Sequence, residues 1–382
     1  MPLSLVLCLF VGIPSQAWRW FWAAGVVAAA YALLNPLLVS FDGRILGLFG
    51  WPTFSATWLT LALLWSLIGI MRDAKGRLEW TVYGSGAALM LVALISLGAR
   101  AAFLSFGGGA ITAALIAVAV SPRRLQILRL SLGVLLSVVV LLGLFYIVPS
   151  NWRPKVNLLT RFQLNDPFRQ DLWMDVQAIV PAYPTVLDYT GHPDDHSGLR
   201  QWLGYGLEMF EVPHRLVTTH TNEVNLELRV DRAHNDWLDT LVSLGVMGLI
   251  ARLSLLASVL YGALKRLGLW QPILPLWILL VTEIVALWAQ NTPYQPVFMT
   301  LASIGAFWIW LIYRILWSPV SSLERVLDWN AWVAVVVLIA HVIDMQFGFS
   351  TVATTLPAWL AFGLLVSHVE KIDMTSSQLS IL

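Results

Sequence analysis

Charge is what this chain has least of. Only 12% of its 382 residues are Asp, Glu, Lys or Arg, where soluble globular chains carry about 25%. The 23 basic and 22 acidic residues nearly cancel, to a formal net charge of +1. That balance leaves no basic stripe for nucleic acid, which is excluded as a partner. Cysteine is almost missing. The one copy, Cys8, lies in an apolar segment, so an intrachain disulfide and a cysteine-based zinc cluster are both excluded. No repeat of solenoid period is visible. The apolar run 2–13 lacks a charged start and a small-residue cleavage site, so it is not read as a cleaved signal peptide. It is too short for an ordinary span. A signal-like start, a tilted half-helix and the remnant of a longer helix all fit it.

Apolar residues fill the space that charge leaves, at 58% of the chain. They fall into runs close to the length of about 20 residues that crosses a bilayer as helix. Spans are predicted near 18–39, 53–71, 81–98, 101–120, 126–148, 235–260, 272–289, 295–317, 330–346 and 350–368. Several of the 20 Trp sit near their ends, among them Trp18, Trp80, Trp237 and Trp329, as interfacial aromatic belts do. The expected fold is an all-α polytopic integral membrane protein, with about ten or eleven transmembrane helices and one long loop subdomain on the outer face.

Basic residues set the sidedness. Arg72, Lys75 and Arg77 share one connection, and Arg123, Arg124, Lys265, Arg266, Arg314, Arg325 and Lys371 recur on the same side. The short turns near 290–294 and 347–349 carry no Lys or Arg. The basic side is therefore read as cytoplasmic. The chain divides into N-terminal membrane helices (1–148), an outer, periplasmic or extracellular segment (149–233), C-terminal membrane helices (234–370) and a cytoplasmic tail (371–382). Arg100 falls on the outer side, against the trend, and a charge misplaced by this rule is a functional candidate. Its alternative is an arginine snorkelling to lipid headgroups.

The outer segment is rich in proline and charge. A helix is expected over 166–180, with Asp166 as N-cap and Pro167 at the first position. Arg169 and Trp173, four apart, share a face of it. A structureless loop of this length is unusual, so a small folded cap over the outer mouth is expected. Taken alone, Arg169 reads as a solvated loop charge. Gly204-Tyr205-Gly206, just before Phe210, reads as a turn, or as a place where backbone amides approach an anion. Gly191-His192-Pro193-Asp194-Asp195-His196 contains metal-ligand residue types, but its loop composition favours a solvated turn, and no metal ligands are assigned.

The most informative stretch closes the outer segment. Asp231-Arg232-Ala233-His234-Asn235-Asp236-Trp237 leads into a membrane helix that contains Gly245 and Gly248. Asp231 is expected to cap that helix, with His234 in its first turn, where the dipole disfavours imidazolium and keeps a lone pair for base work. The eleven-residue step from His234 to Gly245 is close to three turns and puts both on one face. The glycines would let a neighbouring helix approach. An interfacial histidine that merely hydrogen-bonds is the alternative. The company of Asn235, Asp236 and the glycine spacing favours chemistry. Glu283, His341 and Asp344 are ionisable groups near outer helix ends, expected to face a cavity or a partner such as Arg100.

With His234-Asn235, nine intervening residues and Gly245-x-x-Gly248, the chain resembles the O-antigen ligase family, a superfamily that also includes O-antigen polymerase-like proteins and O-linked oligosaccharyltransferases. Arg169-x-x-x-Trp173 is similar to the start of that family's outer loop. Leu203-Gly204-Tyr205-Gly206-x-x-x-Phe210 is similar to the Gly-x-Gly…Phe element before its histidine. Ala99-Arg100-Ala101 resembles its Ser-Arg-Gly turn, with both neighbours of the arginine changed to alanine. The motifs cover roughly residues 80–260, and the remainder resembles the family only in topology. The family has more spans, so the resemblance implies a chain short at its N-terminus.

The resemblance implies a multi-pass enzyme of the bacterial inner membrane. It would carry out metal-independent, inverting glycosyl transfer at the outer face, without a cofactor. The donor would be a glycan on undecaprenyl diphosphate. The acceptor would be a hydroxyl of the lipid A core, of another glycan repeat, or of a protein Ser or Thr. In that setting Arg100 and Arg169 would hold the diphosphate, since the guanidinium fork suits phosphate oxygens, helped by the helix start. His234 would take or orient the acceptor proton, with Asn235 and Asp236 positioning it. Trp173, Gly204, Gly206 and Phe210 would belong to the substrate loop, and Gly245 and Gly248 to helix packing. A flippase of lipid-linked sugars is the competing class, but transporters gather polar residues near the midplane. Here they gather at the outer ends, Glu283 excepted. A membrane scaffold with a partner-binding outer domain would leave the His-Asn-glycine spacing unexplained.

Overall fold

The computed structural model describes residues 17–34, 45–120, 167–187, 190–207, 209–217, 230, 232–290, 292–317, 328–348, 351, 354–363 and 365. In chain order the helices are α1 (Ala17–Leu34), α2 (Pro52–Asp73), α3 (Arg77–Leu97), α4 (Arg100–Val120), α5 (Pro167–Ala182), α6 (Arg200–Leu203), α7 (Glu211–Val217), α8 (Asp236–Arg266), α9 (Ile273–Trp288), α10 (Gln295–Trp317) and α11 (Trp329–Asp344). Residues 354–363 are also helical. Among the described residues there is no strand, only an isolated bridge between Leu187 and Pro193.

Six of these helices, α1 to α4, α8 and α10, are long and apolar enough to cross a membrane, and α9 and α11 are shorter apolar helices. The protein is an all-α polytopic membrane protein. The spans predicted near 53–71, 81–98, 101–120, 272–289, 295–317 and 330–346 coincide with these elements to within a few residues. The span predicted at 126–148 lies outside the described residues, as do the run 2–13, Asp166 and Asp231.

The central post is α11. Thirteen of its sixteen residues are buried, because it is apolar around its whole circumference, the signature of a core helix. It packs on α2, α4 and α8, and more lightly on α10. The fit depends on small residues. Ser105 of α4 donates to the Ala340 carbonyl at 2.6 Å. On one flank, α1 packs on α2 and α3, with Phe21 stacked on Trp65 at 4.1 Å. On another, α9 packs on α10. At 1.5 Å per residue α11 is about 24 Å long, less than a hydrocarbon core of about 30 Å. At least one of its ends therefore lies inside the apolar layer.

The described residues between α4 and α8 have a core of their own. Leu172, Trp173, Val176 and Ile179 of α5 pack with Phe210, Val230 and Ala233, and onto Leu238 and Val242 of α8. The α5 helix begins at Pro167, the position where a missing N–H costs nothing. One apolar face thus seats a small cap on the first turns of α8.

The single span predicted over 235–260 is corrected. Within α8, Gly245 has φ 64° and ψ −167°, and the helix breaks there. Arg252, beyond the break, forms an ion pair with Asp236 and donates to Thr240 Oγ1 at 3.0 Å. In a straight helix Thr240 and Arg252 would be about 18 Å apart along the axis, beyond the reach of an arginine side chain. The first part, 236–244, therefore folds back against the second. Residues 246–266 alone make a rod of about 31 Å, enough to span the hydrocarbon layer.

Candidate active site at one end of the bundle

The site begins with a helix cap. Asn235, and not Asp231, is the N-cap of α8, and its Oδ1 accepts from Trp237 N at 3.1 Å and Leu238 N at 3.2 Å. Asparagine is among the best N-caps because its short amide reaches back to these donors. The Asn235 side chain is fully buried. Its Nδ2 donates to the Gln346 carbonyl at 3.2 Å, and Asp236 N donates to the Met345 carbonyl at 2.9 Å. The helix start is thus fastened to the C-terminal end of α11.

His234 stands outside the helix, contrary to its expected place in the first turn. Its φ is 52°, the left-handed region, which costs a residue with a Cβ about 1–2 kcal/mol. Its neighbours enforce this. Ala233 N donates to Asp239 Oδ1 at 2.6 Å, and the Ala233 carbonyl accepts from Trp173 Nε1 at 2.9 Å. Ala233 and Asn235 are both buried, while His234 between them is half-buried. Such over-determined strain is typical of functional positions. The imidazole meets the Phe168 ring edge-on at 6.2 Å, which brings the start of α5 beside it.

Charged groups gather at this level. The Asp344 carboxylate, buried at the end of α11, accepts from Thr57 Oγ1 at 2.7 Å and feels the charge of Arg169. Arg100 opens α4, five residues above the contact of Ser105 with Ala340. Asp344 lies four residues beyond that Ala340, so Arg100 and Asp344 share a layer. Thr60 Oγ1 ties the Ala102 carbonyl to α2 at 3.3 Å. The structure therefore brings His234, Asn235, Asp236, Arg169, Arg100 and Asp344 to one end of the bundle. His341 is buried one turn below Asp344, and its Nδ1 has no hydrogen-bond partner among the described residues. Glu283 does not join them. It stands exposed on α9, the helix packed on α10.

Two further expectations change. The first amides of α8 do not form an anion cradle, because Asn235 Oδ1, the Met345 carbonyl and the Asn235 carbonyl already accept from them. The acidic Asp236 and Asp239 also occupy that turn. Any diphosphate therefore rests on the arginines. The Gly-Tyr-Gly amides do not face an anion either. Breaking α8 at Gly245 leaves the carbonyls of Leu241, Val242 and Ser243 without their helical donors. Tyr205 N reaches Val242 O at 2.9 Å and Gly206 N reaches Ser243 O at 3.0 Å, and the Tyr183 hydroxyl reaches Leu241 O at 3.2 Å.

Glycine is required on both sides of this contact. A Cβ on Gly245 would lie 2.5 Å from the Trp202 carbonyl, and one on Gly204 would lie 2.5 Å from Leu244 N. What approaches Gly245 is the backbone of the cap, not a neighbouring membrane helix. At Gly248 a Cβ would crowd the chain's own Leu244, with Cγ at 3.3 Å. Phe210 and Trp173 are buried in the cap core. Phe210 stacks on His214 at 5.5 Å, which pairs with Asp175 at 3.0 Å. Through the bond of Trp173 to the Ala233 carbonyl, this core holds the residue that precedes His234.

Arg252, Thr240, Asp239 and Thr57 were not singled out from the sequence. Arg252 carried a signal: a lone arginine inside an apolar run, which by default has a buried partner. The 191–196 loop is a turn in which Asp194 pairs with Arg200 and accepts from His196 N. Among the described residues no cluster of three or more His, Cys, Asp or Glu is arranged to hold a metal.

The site belongs to a helical membrane protein that presents a strained histidine and two arginines at one end of its bundle. Compared with known proteins, the chain matches no family model and no curated protein.

Proposed function

We propose that the protein is a membrane glycosyltransferase resembling the O-antigen ligases. It would move a glycan from undecaprenyl diphosphate to an acceptor hydroxyl at the outer face of the bacterial inner membrane. The observation that carries this reading is His234. It is held half-exposed in a strained conformation by buried neighbours on both sides, with Phe168 of α5 against its ring, and with Arg169 and Arg100 at the same end of the bundle.

The chemistry needs little more. The acceptor oxygen attacks the anomeric carbon as the bond from that carbon to the diphosphate oxygen breaks, inverting the centre. His234 accepts the hydroxyl proton. The departing diphosphate keeps its electron pair, and Arg100 and Arg169 neutralise its charge. Asn235, as the helix cap, and Asp236, through its amide bond to the Met345 carbonyl, fix the backbone that follows the imidazole. Holding donor and acceptor together contributes through orientation.

The test is transfer in vitro, with purified protein, an undecaprenyl-diphosphate-linked glycan, candidate acceptors and EDTA. Transfer that resists EDTA and is lost in His234→Ala and Arg169→Ala is expected. Undiminished transfer in His234→Ala would remove the role assigned to that residue. Movement of the lipid-linked sugar across proteoliposomes without transfer would overturn the reading in favour of a flippase. The productive acceptor separates a ligase from a repeat polymerase or a protein O-oligosaccharyltransferase.

A further inference from the structure

The contact between the cap and the break in α8 has a second consequence, independent of glycan transfer. Lys265 and Arg266 mark one end of the apolar stretch of α8, and the rod from 246 to 266 spans about 31 Å. Gly245 therefore lies at the opposite edge of the hydrocarbon layer. The backbone of Trp202 and Gly204 rests directly on Gly245. The segment from α6 to the turn at Met209 is thus held at the level where lipid chains meet headgroups.

Its surface is wrong for water. Leu199, Trp202, Leu203, Leu207 and Met209 are all exposed, Leu207 by 69%. The residues 201–210 carry one charge, Glu208. The patch is also continuous with α8, where Leu244 and Met247, on either side of the break, are exposed as well. Contiguous exposed apolar surface on a folded protein marks a contact with something apolar, and tryptophan at a membrane edge favours the interface. Arg200, the cation of this segment, is already bonded: it pairs with Asp194 and donates to the Gly204 carbonyl at 3.2 Å.

We infer that residues 199–207 and Met209 form a wedge that dips into the outer leaflet of the bilayer, with Trp202, Leu203 and Leu207 among the acyl chains. Lipid, rather than a partner chain, is the occupant because the patch adjoins the lipid-facing side of a membrane-crossing helix. The wedge anchors the cap to the membrane at the break that sets the direction of the 236–244 half-helix, and with it the position of His234.

Nitroxide accessibility tests this in phosphatidylethanolamine–phosphatidylglycerol nanodiscs. Single cysteines replace Leu203, Leu207 or His196 in a Cys8→Ser background. His196 is the aqueous reference, its side chain being 72% exposed. Labels at 203 and 207 are expected to collide with oxygen several-fold more than with a water-soluble nickel chelate, and the label at 196 the reverse. Nickel access at 203 and 207 equal to that at 196 would overturn the insertion. Protection from both probes would also overturn it, by showing that protein and not lipid covers the patch. Both readouts are independent of glycan transfer, so failure of the function proposal leaves this one standing.

Discussion

His234 is a residue held where its backbone does not prefer to be. Glycine adopts a φ of 52° without the Cβ clash, so His234→Gly is expected to be more stable than His234→Ala by about 1 kcal/mol. Both should be equally inactive in transfer. Thermal unfolding of the two purified variants measures this, and equal midpoints would show that the strain is relieved elsewhere. Trp173 offers a second check. Phenylalanine there keeps a ring in the cap core but loses the bond to the Ala233 carbonyl. The expected cost is about 1 kcal/mol of stability, with a larger fall in kcat than in donor affinity, since Trp173 orients the residue next to the histidine. A Trp173→Phe enzyme with unchanged kcat would deny it that positioning role.

At the scale of elements, the molecule turns on the join between α8 and the cap. A methyl on Gly245 meets both an unfavourable φ and the Trp202 backbone. Gly245→Ala is therefore expected to cost about 2–5 kcal/mol and to release the cap to proteolysis near residue 200. Protease resistance like that of the unaltered protein would contradict this. The join is also pH-sensitive in the alkaline range. Tyr205 stacks on Tyr183 at 5.9 Å and donates to the Pro184 carbonyl at 2.8 Å. Burial first, and then the neighbouring Tyr183, push its phenol up to about 12 from an ordinary 10, against the opposing pull of Arg200. The folded state thus holds this proton more tightly than the unfolded chain does. The stability is fully present below pH 10 and is lost as pH rises from 10 towards 12. Melting curves across that interval should fall more steeply for the unaltered protein than for Tyr205→Phe.

For the whole molecule, the distribution of Lys and Arg predicts which end of the bundle faces the cytoplasm. A cysteine at Lys75 should resist an impermeant thiol reagent in intact cells, and one at His196 should react. The reverse labelling would turn the protein over and place His234 on the cytoplasmic side, which would end the proposal of transfer to an outer-face acceptor.

The sequence by itself determined the class of protein and the approximate extent of most of its membrane helices, because apolar runs of membrane length are a local property. It also singled out His234, Asn235 and Arg100 by residue type, spacing and place in the topology, while Arg169, a solvated loop charge when taken alone, entered only through the family resemblance. Only the tertiary structure decided that Asn235 caps α8, that His234 lies outside it, and that Gly245 breaks it. A glycine in an apolar run reads the same whether the helix passes straight through or folds back. The choice is made by donors distant in sequence, Tyr183, Tyr205 and Gly206, that satisfy the carbonyls the break exposes. Likewise Arg252 meets Asp236 only because the helix folds. Contacts of that kind carry no period or spacing, and packing alone brings them about.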